Sequence, residues 1–148
     1  MEGELSQRLT AIKAIAQGYY SLRPGELIAN HLELLRIFEI QDSIHDSHPH
    51  DGMRIYVSRR ALKHFIESRK EELEKHHTPE ETFESICFAV DHIQETINNF
   101  DDYLLVPPKH FYTKDYSSDG KPQLRILLEV KDGRLEIRSI HFRERKKK

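Results

Sequence analysis

The stretch QLRILLEVKDGRLEIRSIHF, residues 123–142, decides the fold. Its centre, Asp132-Gly133, is a two-residue loop that favours a type I′ turn, because both residues tolerate positive φ and the turn's twist matches that of paired strands. The two flanking runs alternate, so they read as antiparallel strands in a fixed register. Val130 then faces Leu135, Leu128 faces Ile137, Ile126 faces Ser139 and Leu124 faces His141 on an apolar side that helices should cover. The other side carries Arg125, Leu127, Glu129 and Lys131 opposite Ile140, Arg138, Glu136 and Arg134. After Ile137 the apolar residues move from odd to even positions, which points to a bulge near Ser139. Such a bulge would turn Ile140 and Phe142 inward and expose His141.

Working outward, His110 to Tyr116 reads as a further strand closed by a turn at Ser117-Ser118-Asp119-Gly120. Thr78-Pro79-Glu80-Glu81 combines an N-capping Thr, Pro at the first helical position and Glu at the third, which opens a helix reaching about Asn98. Arg54 to Val57 is a short strand, and Ser58 caps a helix running to about Lys75 with Leu62, Phe65, Ile66 and Leu73 in one stripe. Two segments with helical spacing come before it. Leu5, Leu9, Ile12, Ile15 and Ala16 mark the first, and Leu27, Ile28, Leu32, Leu35 and Phe38 the second, so residues 4–40 are expected to form a helical hairpin. QDSIHDSHPHDG, residues 41–52, reads as an exposed linker. The expected division is a helical hairpin with its His-rich linker over 1–52, and over 53–148 an α+β domain with a basic C-terminal tail. In that domain the helices lie on one face of a mostly antiparallel sheet.

The 148 residues are 37% hydrophobic and 32% charged with mean hydropathy −0.69, a polar but not a disordered composition. No run approaches the length of a membrane span, and the opening MEGELSQRLT lacks the order of a signal peptide, so a cytoplasmic protein is expected. Cys87 is the only cysteine, which excludes an internal disulfide and a cysteine-built zinc site. The net charge of −2 divides into −4, −4 and +6 over residues 1–52, 53–108 and 109–148. The basic C-terminal part, ending in RERKKK, is a footprint that attracts polyanions.

Several residues carry chemistry. His45, His48 and His50 with Asp46 and Asp51 are metal-compatible types, but nothing in a polar linker fixes their geometry, so no metal and no cofactor is expected. His64 lies opposite the apolar stripe of its helix and faces solvent or a cleft. Arg69 falls inside that stripe, where it pairs with a carboxylate, snorkels or meets an anion. Arg125 and Arg138 share the open sheet face, either gripping one phosphate or laddering with Glu129 and Glu136.

The order strand, helix, helix, meander, with the phrases RIYVSRRALKHFIESRK and KHFYTKDYSSDGKPQLRILLEVKDGRLEIRSIHF, resembles phage and toxin members of the barnase-EndoU-colicin-RelE-like ribonuclease superfamily over residues 53–145. The resemblance implies metal-independent RNA cleavage on the open sheet face, by attack of a ribose 2′-hydroxyl on the adjacent phosphate. His64 would match the family's helix histidine, and Arg125 and Arg138 its sheet cations. The second histidine often found in phage members is replaced near Arg69 and Lys70, and His110, Tyr112 and His141 compete for the third role. His64, Arg125, Arg138 and His141 are therefore the expected catalytic residues, and Arg69, His110, Tyr112 and Arg143 the expected RNA-binding ones. The alternative is a non-catalytic module on the same scaffold, with residues 4–40 docking a protein partner or a second copy.

Overall fold

A computed structural model describes residues 2–143. The hairpin at the heart of the sequence forms as expected. Asp132 and Gly133 have φ of 52° and 79°, and they join β5 (Gln123–Lys131) to β6 (Arg134–Arg143), with Val130 paired to Leu135 and Leu128 to Ile137. Beyond Ile137 the register shifts. Arg138 is an extra residue on β6, so Leu127 pairs with Ser139, Ile126 with Ile140, Arg125 with His141 and Leu124 with Phe142. The pairing of Ile126 with Ser139 and Leu124 with His141 is thus replaced by the bulged alternative. The physical reason is burial: Ile140 is 3% exposed on the covered side, a place the unbulged register gives to Ser139. Ile126, Leu128, Leu135 and Ile137 are also buried there. Each contributes about 1.5–3 kcal/mol, so the core rather than the turn holds the register.

The other strands and helices assemble on this hairpin. β2 (Arg54–Ser58) lies parallel to β6 but reaches only Leu135 to Ile137. β4 (Lys109–Lys114) pairs antiparallel with β5, and β3 (Asp102–Val106) with β4. With β1 (Leu34–Glu39) the sheet has six strands in the order β1-β2-β6-β5-β4-β3. The helices pack against it in an α+β arrangement. Ser58 caps α2 (Arg59–Leu73) by accepting from the Ala61 amide. Thr78 and Glu81 close the expected capping box on α3 (Pro79–Asp91), and α4 (Ile93–Asn98) follows after a break at His92. α1 (Glu2–Tyr20) turns Leu9, Ile12 and Ala16 inward and packs on α2, α3 and β1. No helix among the described residues is long and apolar enough to cross a membrane.

Three expectations are corrected. The second helix of the N-terminal hairpin does not form: residues 21–33 run through turns, and β1 pairs antiparallel with β2. Leu27 and Leu32 are 95% and 70% exposed, so their helical spacing marks no buried face, whereas Ile37 and Phe38 are buried in the strand. Pairing with β2 overrides the local period. The segment 41–52 is exposed at most of its positions, as expected, but it is not a free linker, because His48 and His50 are buried, each 7% exposed. Its ends close on backbone bonds from Gly52 to Ile40 and from Ile40 to Met53, and its histidines cap the covered side of the sheet. β3 has no counterpart among the expected strands. Its Leu104, Leu105 and Val106 lie on an edge and are about half exposed, so no alternation marks them.

Candidate active site

The bulge at Arg138 sets the parity of the strand residues beyond it. Ser139, His141 and Arg143 come to the side of the sheet that holds Arg125, and β2 ends too early to cover this part of β6. α2 runs beside β6 instead and brings Arg69 and Glu72 to the same place. The result is a notch of about 340 Å³ lined by Arg69, Glu72, Phe111, Arg125, His141, Phe142 and Arg143. Three guanidinium groups against one carboxylate make it a positive concavity.

The arginines are held with donors to spare. Arg125 lies over the Phe111 ring, 4.2 Å from its centroid, and forms no ion pair among the described residues. Its Nε is buried without a hydrogen-bond partner, and burial, followed by the charge of Arg143, lowers its pKa. Arg69 is 6% exposed and pairs with Glu72 at 3.2 Å through Nη1, yet its Nε also lacks a partner. A buried guanidinium donor left unpaired is costly unless an anion completes it.

His141 Nε2 lies 2.9 Å from Ser139 Oγ. Burial lowers the pKa of His141 first, then Arg69; Glu72 opposes this, and Arg125 and His64 add to it. The imidazole is therefore neutral at neutral pH, the state of a proton acceptor. His64 itself is exposed on α2, one position before the buried Phe65, and lines grooves between α2 and the segment from Tyr19 to His31. It is close enough to act on His141 electrostatically but does not line the notch.

The remaining expected residues separate into two other groups. Arg138, the bulged residue, pairs through Nε with Glu129 at 3.2 Å and through Nη1 with Glu136 at 3.9 Å, while Arg134 meets Glu136 at 3.1 Å. This is the charge ladder rather than a phosphate grip shared with Arg125. His110 and Tyr112 lie on the covered side: Tyr112 is fully buried, and His110 Nδ1 lies 2.8 Å from Tyr103 Oη. Strand alternation gives the open side to Phe111 instead, so His110 and Tyr112 do not meet a ligand bound there. They pack with the His-rich segment. His50 Nδ1 is bonded to Tyr112 Oη, His48 Nε2 donates to the Ile97 carbonyl at 2.7 Å, and His45 Nε2 donates to the Phe100 carbonyl at 2.6 Å. These rings are thus engaged as structural donors and acceptors, and among the described residues no group of three or more histidine, cysteine or carboxylate side chains is disposed to hold a metal. Arg143 lines the notch, whereas the rest of the RERKKK tail lies outside the described residues.

Sequence reasoning did not find Phe111, Glu72 or the Ser139 contact. The i,i+3 spacing of Arg69 and Glu72 was the available signal for one, and the alternation of β4 for another. No protein-family model, no curated protein and no solved structure matches the chain.

Proposed function

We propose that the chain is a metal-independent endoribonuclease whose site is the notch between α2 and the bulged end of β6. The observation that carries this reading is the convergence of Arg69, Arg125 and Arg143, with Glu72 as the one carboxylate, on a neutral His141. This set fits a phosphodiester and a nearby hydroxyl. In the reaction, His141 takes the proton of the ribose 2′-hydroxyl, and that oxygen bonds to the adjacent phosphorus. The bond to the 5′-oxygen breaks, and water protonates the leaving oxygen. The products are a 2′,3′-cyclic phosphate and a 5′-hydroxyl. Arg69 and Arg125 stabilise the charge that develops on the phosphorane, where fixed cations lower a barrier most. The resemblance to the barnase-EndoU-colicin-RelE-like superfamily supports the same chemistry.

A second reading is a non-catalytic RNA-binding module, favoured by the position of His64 outside the notch lining. Incubating the purified protein with mixed RNA in EDTA and analysing the new ends separates the two. Cyclic phosphate ends are expected. RNA that is retained but uncut would favour the binding module. Cleavage that vanishes in EDTA and returns with a divalent cation would overturn the mechanism, which relies on side-chain acids and bases.

A further inference from the structure

His141 has two ring nitrogens, and the surroundings distinguish them. Nε2 lies 2.9 Å from Ser139 Oγ, whereas Nδ1 has no hydrogen-bond partner among the described residues. The pair exists because of the bulge: with Arg138 as the extra residue, Ser139 and His141 both stand on the open side, two positions apart on one strand. A neutral imidazole has one N–H and one lone pair, and the hydroxyl of Ser139 is able to meet either at Nε2. The lining of the notch decides between them. Arg69, Arg125 and Arg143 stand there against Glu72 alone, so the nitrogen not held by Ser139 is lower in energy as a lone pair than as one more N–H among cations.

We propose that Ser139 is a positioning residue: its oxygen accepts Nε2–H and holds the His141 ring in place, while the arginines of the notch keep Nδ1 as the lone-pair nitrogen that accepts the proton. The role of Nδ1 rests on the ribonuclease reading above, but the tautomer does not. When Nδ1 takes the 2′-hydroxyl proton, the ring becomes an imidazolium that still donates Nε2–H to Ser139, so the hydroxyl keeps its orientation through the step. A hydroxyl that instead donated to Nε2 would leave Nδ1 protonated and unable to act as a base.

The test is the nitrogen spectrum of His141 in the full chain without RNA, at a pH where the ring is neutral. The Nε2–H tautomer should be the clear majority, because the arginines of the notch disfavour an N–H at Nδ1. In Ser139→Ala the arginines remain, so that tautomer should persist while the Nε2–H proton, no longer held by a hydroxyl, should exchange with solvent several-fold faster, and Ser139→Thr, which keeps the hydroxyl, should restore the parent rate. An Nδ1–H majority in the parent, or an Nε2–H exchange rate unchanged in Ser139→Ala, would overturn the proposal. With RNA, Ser139→Ala should lower kcat about tenfold with KM little changed, and Ser139→Thr should restore it. An equal loss in both variants would overturn the positioning role. A parent with the stated tautomer that never cuts RNA refutes the ribonuclease reading and with it the base role of Nδ1, while the tautomer assignment stands, so the two failures are told apart.

Discussion

The histidines that close the covered side make stability sensitive to acid, and His50 sets the size of the effect. Its ring is 7% exposed, bonded to Tyr112 Oη and set against His110 with ring centroids 4.4 Å apart. Burial, then the charges of His110 and His48, lowers its pKa from 6.5 to about 4. The unfolded chain therefore takes up a proton near pH 6.5 that the folded chain refuses until about pH 4. Stability from this group is fully present above the unfolded value and is lost as pH falls through that window. At 1.36 kcal/mol per pH unit the loss is roughly 3 kcal/mol, a large part of the stability of a domain this size. His48 and His110 are shifted in the same direction and add to it. Urea unfolding between pH 7.5 and 4 measures the slope, and His50→Gln, which keeps a hydrogen-bonding side chain without a titrating one, isolates the share of His50. The parent should lose about 3 kcal/mol more than the variant across this range. Parallel curves for the two proteins would show that His50 is not held neutral and that residues 41–52 do not pack as described.

Arg125→Ala should lower RNA turnover about 10²-fold, whereas Arg138→Ala, which removes a ladder residue that leaves Glu136 still paired to Arg134, should leave turnover within a few-fold. Thr78→Ala removes the cap that accepts the Glu81 amide at 3.1 Å and should cost about 1 kcal/mol by urea unfolding without affecting cleavage. Gly133→Ala places a Cβ at φ 79° and should destabilise by about 1–2 kcal/mol despite open space around it, also read by urea unfolding.

How much of the fold was legible in the sequence depends on whether each signal was local. The Asp132-Gly133 turn, the Thr78 capping box and the Ser58 cap are all set by residues within a few positions, and each forms as read. The bulge was legible as a change of apolar parity after Ile137, but its location at Arg138 depends on how Ile140 meets the core. β1 was hidden because Leu27 and Leu32 imitate a helical period, while the partner that makes residues 34–39 a strand lies some 20 positions away on β2. The same distance hides the packing of the His-rich segment. Its polar composition suits a solvated loop, and only the carbonyls of Ile97 and Phe100 with the hydroxyl of Tyr112 make burial tolerable. At the notch, Arg125 and His141 were visible on the strands, yet their meeting with Arg69 depends on the early end of β2 and the course of α2, neither of which is a local property.

The central claim is that the notch of Arg69, Arg125 and His141 performs RNA cleavage with His141 as the base. The most direct measurement is the single-turnover rate of an end-labelled RNA in EDTA at neutral pH, for the parent and for His141→Gln, with RNA affinity measured on both. The variant should cut at least about 10²-fold more slowly, the loss expected of a general base, while its affinity stays within a few-fold because Arg69, Arg125 and Arg143 remain. A variant that cuts as fast as the parent would contradict the claim.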